Sequence, residues 1–388
     1  MGTNKISRKT NILGNKMVSI PATHRALVLT STKEPLAVQT CPTPQSTPGA
    51  AVVRVLTANI VSYARSIYDG TRPYPFPTPF VPGASAIARV AALGSDATSL
   101  SVGQLVHIDA TVRARDDPNQ NIFLLGLHAG MTDGSSKLMH EAWRDGTYRE
   151  YARVPLENCT PLDEARLLGE LKYQPGDLAY ISALLVPYGG LRAIAVQPGE
   201  TVLIAPATGA FGGAAVHVAL ALGARVIAAG RNAAALARIA GLDPERTTTV
   251  QITNDPATDM AAFTGTRFGK PDCFFDIAPP EAAASTHVRS GVLSVRTGGR
   301  VVLMGGIHGD VALPYGAIMH RNLTLKGQWM YEREEIRGLV KMIESGVLKI
   351  GKEARVGVKG TFALEQWDEA FKAAENGLGE GTYVVFAP

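Results

Sequence analysis

The stretch TVLIAP at 201–206, together with the residues just after it, constrains this chain more than any other feature. Its apolar residues run unbroken instead of alternating, which is the pattern of a strand buried on both faces. It leads directly into Ala207, Gly209 and Gly212, an A-x-G-x-x-G turn. A helical run of small residues comes next, GAFGGAAVHVALALG at 209–223, and then a second apolar strand, ARVIAAG, ending at Gly230. A glycine triplet alone is a weak signal, but strand, glycine turn, helix and second strand in this order predict a dinucleotide site. Further apolar strands in CFFDIA at 273–278 and RVVLMGG at 300–306 alternate with helical stretches, so the expected fold class here is α/β, a Rossmann-type doubly wound parallel sheet.

Each residue of the turn has a mechanical reading. Gly209 lets the backbone approach a pyrophosphate and Gly212 lets the helix pack closely on its strand, while Ala207, Thr208, Ala210 and Phe211 complete the cradle. The free amides and positive dipole end of the helix then meet the anion without a charged side chain. The second strand ends in Gly230, Arg231 and Asn232, where an NAD-specific site would present an acid to the ribose hydroxyls. A guanidinium there suits a 2′-phosphate, so NADP is the expected cofactor.

The chain has 388 residues, beyond the size at which one core stays favourable, and two domains are expected. With 46% hydrophobic and 19% charged residues it is an ordinary globular protein, and no apolar run approaches the roughly 20 residues of a membrane span. A formal charge of +4, carried by scattered Lys and Arg, gives no nucleic-acid footprint. Cys41, Cys159 and Cys273 lie far apart without a CxxC pair, arguing against a disulfide framework and for a reducing, cytoplasmic compartment. Residues 1–23 read as a flexible tail. Lys5, Arg8, Lys9 and Lys16 leave a mitochondrial presequence as the alternative, which the low arginine count disfavours.

Residues 24–110 read as short strands punctuated by Pro and Gly. The proline-dense TRPYPFPTPFVPG at 71–83 cannot sustain a ladder of backbone hydrogen bonds and is expected to be loop at the rim of a site. The segment 111–144 is polar and long for a connection, which predicts an irregular lid or insertion. Its histidines, His128 and His140, are expected to be solvated. His217, inside the fingerprint helix, is read as a packing or surface residue.

Several motifs together resemble the medium-chain dehydrogenase/reductase superfamily: VPGASAIARV at 81–90, GTYREYARVP at 146–155, the fingerprint at 205–213, GGRVVLMGG at 298–306 and LKGQWMYERE at 325–334. The resemblance implies a GroES-like, β-rich substrate domain, 24–183 with 332–388, and a Rossmann cofactor domain, 184–331. It also implies a homodimer, paired through the edge strand that includes LTLKGQW at 323–329.

Zinc-dependent members of that superfamily place Cys, His and Glu where this chain has Asn59, Ala84 and Ser85, and no Cys lies between 42 and 158 to build a structural zinc lobe. The expectation is therefore no metal, and likeness to the zinc-free quinone oxidoreductase and enoyl reductase branch. Hydride transfer without a metal relies on positioning and on donors aimed at the oxygen that gains charge, which suits conjugated carbonyls. The expected reaction is NADPH-dependent reduction of an activated C=C or quinone in a small organic molecule. A zinc-free ketone or alcohol oxidoreductase and an NADPH-binding protein without turnover are the alternatives. From the segments that line the cleft in the resembled superfamily, Tyr63 is the first candidate for proton donor, with Ser62, Asn59 and Tyr188 beside it. By the same resemblance Met304 and Gly305 orient the nicotinamide through backbone groups. Trp329 and Tyr331 are candidate pocket walls, and His308 a candidate contact.

Overall fold

Alternation along the strands decides how the second half of the chain is layered. In β1 (Thr201–Ala205) every residue is buried, yet Val202 and Ile204 join one hydrophobic cluster while Leu203 and Ala205 join another. The same split recurs in the inner strands β2 (Arg225–Gly230), β4 (Cys273–Asp276) and β5 (Arg300–Leu303), where Phe275 and Val302 face the first cluster and Phe274 and Val301 the second, while β3 (Thr247–Gln251) and β6 (Thr324–Gly327) form the sheet edges. Successive side chains point to opposite faces, so a sheet covered on both sides needs apolar residues at every position. The six strands are all parallel, in spatial order β3-β2-β1-β4-β5-β6, with the reversal between β1 and β4. This is the doubly wound order, whose ligands gather at that reversal.

On the first face lie helix α1 (Ile181–Ala193) and helix α2 (Ala210–Ala221), which also pack on each other. The packing is close enough that a Cβ at Gly190 would stand 2.1 Å from the Met304 sulfur, which holds Met304 at the end of β5. The second face is covered by the helices Pro256–Thr264, through Phe263, and His287–Ser294, through Val292.

The rest of the chain forms a mainly antiparallel, seven-stranded sheet around its own cluster. Its longest strand, Ala50–Ile60, pairs with Ala86–Leu93, Tyr151–Pro155 and the C-terminal Thr382–Phe386. The last of these sets Val385 opposite Asn59, so the far end of the chain fixes the strand that carries the candidate site. The protein thus has a two-domain α/β fold, a GroES-like β domain and a parallel Rossmann-type sheet.

These features come from a computed structural model that describes residues 20–377 and 379–388. The basic tail expected at 1–23 lies outside the described residues except for its last four positions. Among the described residues no helix is long and apolar enough to cross a membrane.

One expectation needs correction. The segment 111–144 is neither irregular nor a polar lid: Thr111–Arg113 and Ile122–Leu124 form a hairpin, and Asp133–Glu141 forms a helix capped by Thr132. Phe123, Leu125 and Met139 are fully buried, enough apolar anchors to seat a segment whose average composition is polar. His128 is correspondingly buried, its ring edge-on to Tyr74 with centroids 4.6 Å apart and its Nδ1 accepting from the Gly130 N–H. His140 remains exposed, and His217 is packed edge-on against Tyr180.

Candidate active site

The glycine turn leaves β1 through Pro206 and Ala207, whose N–H donates to the Ala229 carbonyl at 2.7 Å. Helix α2 begins at Ala210, with extended Gly209 as its N-cap. A Cβ at Gly212 would lie 2.1 Å from the Pro206 carbonyl oxygen, so only glycine allows the helix this close to its strand. A Cβ at Gly209 would meet nothing within 4 Å. Open space therefore stands before the unpaired amides of the first helical turn, where a phosphate would be bound. Gly230 passes the turn closely: a Cβ there would stand 2.6 Å from the Thr208 methyl. Arg231 is exposed, and no ion pair engages it among the described residues. The Asn232 side-chain oxygen Oδ1 caps the next helix, accepting from the Ala235 N–H at 3.0 Å, so that oxygen is already engaged.

The turn opens into a cleft of about 400 Å³ between the two sheets. Asn59, Ser62 and Tyr63 line one wall; Gly209, Ala210, Phe211, Gly212, Met304 and Gly305 line the other. Strand Ala50–Ile60 delivers Asn59, and Tyr63 stands at the start of the short helix Ala64–Tyr68. Among the described residues the side chains of Asn59, Ser62 and Tyr63 have no hydrogen-bond partner, which leaves an amide and two hydroxyls free to face a ligand. Burial, reinforced by Tyr74 and opposed by the Arg72 cation, pushes the Tyr63 phenol up to about 12, so at neutral pH it is a protonated donor. Trp329 and Tyr331 also line the cleft. Tyr331 is buried and donates its hydroxyl to Asp109 Oδ1 at 2.6 Å, and burial raises that carboxyl to about 6.

Of the candidates for proton donor or ring and substrate contact, two fall outside the cleft. Tyr188 is buried in α1, and its hydroxyl lies so close to Gly338 that a Cβ there would come within 2.7 Å. The residues of α1 that line the cleft are Ser182 and Val186, one helical turn apart. Position 188 is two residues on, roughly 200° around the helix, and faces the helix Arg333–Glu344. Tyr188 is therefore removed as a donor. His308 is exposed and does not line the cleft. Sequence reasoning missed Ser182, Val186, Arg72 and Tyr74, all in the lining. The α1 pair was open to detection as an i, i+4 polar–apolar pair, but nothing local signals which face of α1 meets the cleft.

Asn59, Ala84 and Ser85 all line the cleft, so the structure brings together the three positions that the resemblance sets against the zinc ligands. An amide, a methyl and a hydroxyl do not fit a catalytic zinc, which takes thiolate, imidazole and carboxylate donors. Among the described residues no group of three His, Cys, Asp or Glu side chains is placed to hold a metal ion.

Two sequence families match: "Alcohol dehydrogenase GroES-like domain" over residues 47–164 and "Zinc-binding dehydrogenase" over residues 210–345. Among curated proteins the chain is 26% identical to an L-threonine 3-dehydrogenase of Ruegeria pomeroyi, covering 91% of this chain and 97% of that one. It is 25% identical to a D-xylulose reductase A of Aspergillus niger, covering 79% and 80%. Among solved structures, a zinc-binding dehydrogenase of Sinorhizobium meliloti bound to NADP superposes with a TM-score of 0.74 at 20% identity, covering 95% of this chain and 100% of that one. An E. coli short chain alcohol dehydrogenase complexed with NADH gives 0.76 at 20%, with the same coverage. The structural likenesses concern the fold. With both matched families lying on the two sheets described above, the chain belongs to the medium-chain dehydrogenase/reductase superfamily.

Proposed function

We propose that this chain is an NADPH-dependent oxidoreductase that reduces an activated C=C bond or a quinone of a small organic molecule without zinc, as quinone oxidoreductases and enoyl reductases do. One observation carries the reading: the cleft sets the unpartnered side chains of Asn59, Ser62 and Tyr63 across from the glycine turn and Met304, at positions where metal donors are replaced by an amide, a methyl and a hydroxyl.

A bound nicotinamide would supply the hydride. The α2 amides would hold the pyrophosphate, Arg231 would hold the 2′-phosphate, and backbone groups at Met304 and Gly305 would orient the ring. Addition of hydride to the far carbon of an enone places negative charge on the oxygen. Tyr63 Oη donates to that oxygen, with Ser62 and Asn59 as neighbouring donors, and the Arg72 cation favours the phenolate that remains. Apolar walls such as Leu124, Leu127, Phe211 and Trp329 exclude water from the reacting centre.

A zinc-free ketone or alcohol oxidoreductase is the second reading, favoured by the names of the curated relatives, a threonine dehydrogenase and a xylulose reductase. A homodimer is proposed through β6, the exposed edge of the parallel sheet, beside the exposed Tyr315 and Met319. The three free cysteines suit a reducing compartment such as the cytoplasm.

The deciding experiment measures nicotinamide oxidation over a panel of enones, quinones, ketones and alcohols with NADPH and NADH, alongside the metal content of active protein. Turnover of enones or quinones, at least about tenfold better with NADPH, supports the reading. Stoichiometric zinc, or turnover confined to ketones and alcohols, overturns it.

A further inference from the structure

The cleft is lined by one cation whose bond-forming capacity the chemistry above leaves unused. Arg72 lies in the proline-rich loop before Gly83 and lines the cleft. Its guanidinium carbon stands 4.2 Å from the centre of the Tyr63 ring and 4.9 Å from that of Tyr74. The group also reaches the opposite wall: a Cβ at Gly306, just after β5, would come within 3.7 Å of Arg72 Nη2. Among the described residues Arg72 forms no ion pair, and its Nε is buried without a hydrogen-bond partner.

A guanidinium held between the walls of a largely apolar cleft loses part of its hydration, and two ring faces return only some of it. The two rings hold the group, and no acceptor among the described residues takes its edge of N–H donors. Such an edge matches a planar anion, accepted through two parallel hydrogen bonds. The nearby carboxylate of Asp69 is taken up by the Thr71 N–H and hydroxyl.

We infer that Arg72 is a specificity-determining residue and that the substrate reduced in this cleft carries an anionic group, a carboxylate in the first instance, a few atoms from its conjugated carbonyl. The inference rests on the proposed function for the word "reduced" but not for the word "anionic". Because the guanidinium lies against the Tyr63 ring, it reads the anion while Tyr63 meets the reacting oxygen of the same molecule. The cofactor phosphates are the competing anions, but they have the α2 amides and Arg231.

The test uses three probes that share one aryl enone, benzylideneacetone, and differ only in the para substituent: carboxylate, phosphate monoester or carboxamide. Dissociation constants are measured by calorimetry on the full chain, with and without NADP+, and steady-state rates with NADPH separately. The carboxylate is expected to bind at least about tenfold tighter than the carboxamide. Arg72→Gln removes that preference by weakening the carboxylate alone, Arg72→Lys restores part of it, and NADPH affinity stays within about twofold in both variants. A tighter phosphate than carboxylate keeps the anion site and assigns the anion to a phosphate ester. Equal binding of carboxylate and carboxamide by the unmodified protein overturns the inference, as does an Arg72→Gln variant that weakens NADPH or all three probes alike. If the probes bind with the expected preference but none is reduced, the reading of the site as an enone reductase fails and the anion site stands.

Discussion

Gly209 and Gly212 lie three residues apart in the same turn, and the structure gives their replacement by alanine different consequences for stability. At 212 the new Cβ would start 2.1 Å from the Pro206 carbonyl oxygen, and contacts under 3.0 Å are not sustained. The first turn of α2 must therefore move outward by about 1 Å, straining the helix–sheet contact, and overpacking of this kind costs about 1–3 kcal/mol of stability. At 209 the backbone is extended with φ −86 and ψ 175, which alanine adopts freely, and the Cβ points into open space. Gly209→Ala should change stability by no more than about 1 kcal/mol. The same methyl occupies the volume through which a pyrophosphate approaches the helix amides. Displacing the phosphate breaks about two charge-assisted hydrogen bonds worth roughly 1.5 kcal/mol each, so NADPH affinity should fall on the order of 100-fold. Fluorescence titration with NADPH, paired with urea denaturation, separates the two variants: Gly209→Ala loses binding and keeps its stability, whereas Gly212→Ala loses both. A Gly209→Ala protein that binds NADPH as tightly as the unmodified chain would refute the placement of the phosphate and everything built on it.

Tyr63→Phe removes a hydroxyl with no partner among the described residues, so stability should hold within about 1 kcal/mol while kcat on an enone falls about 100-fold or more, read by steady-state kinetics. Arg231→Ala should abolish the preference for NADPH over NADH, a change of about 10- to 100-fold in the ratio of kcat/KM, with NADH kinetics little altered. Asp109 has a folded-state pKa raised to about 6, above the ordinary 3.8 of an unfolded chain. The unfolded state then loses its proton first, and this residue's contribution to stability is greatest below about pH 4 and declines as pH rises to about 6. Asp109→Asn should flatten that segment of the stability–pH curve by an amount on the order of a few kcal/mol, measured by denaturation between pH 4 and pH 7. An unchanged slope would show that the carboxyl is not desolvated as described.

What was legible in the sequence was local. The strand TVLIAP, the glycine spacing and the next strand lie within thirty residues, and each is dictated by near-neighbour sterics and an unbroken apolar run that a reader of the chain can count. Asn59, Ser62 and Tyr63 came within reach through the family resemblance, and they stand close together at the end of a single strand and the helix start beyond it. Tyr188 was misplaced because a helix has one phase relative to its neighbours, set by which side rests on the sheet. With nearly the whole of α1 buried, no apolar stripe reveals that phase. The segment 111–144 was misread because a few apolar anchors among many polar residues suffice to seat it once Arg113 and Asp109 find partners in Tyr331 from the other end of the chain. Arg72 was invisible as a site residue because the loop that carries it has no period, and its position depends on tertiary contacts with Tyr63 and Tyr74.

The pairing of Val385 with Asn59 has a consequence for how the protein comes into being. A ribosome delivers the six parallel strands in one uninterrupted stretch, from 201 to 327, and that sheet can assemble as soon as it emerges. The other sheet must wait for its final strand, held open across more than three hundred intervening residues. Cofactor binding and catalytic competence should thus be acquired in that order during biosynthesis, and stop codons placed just before Thr382 should yield chains that still recognise the nucleotide yet cannot turn it over.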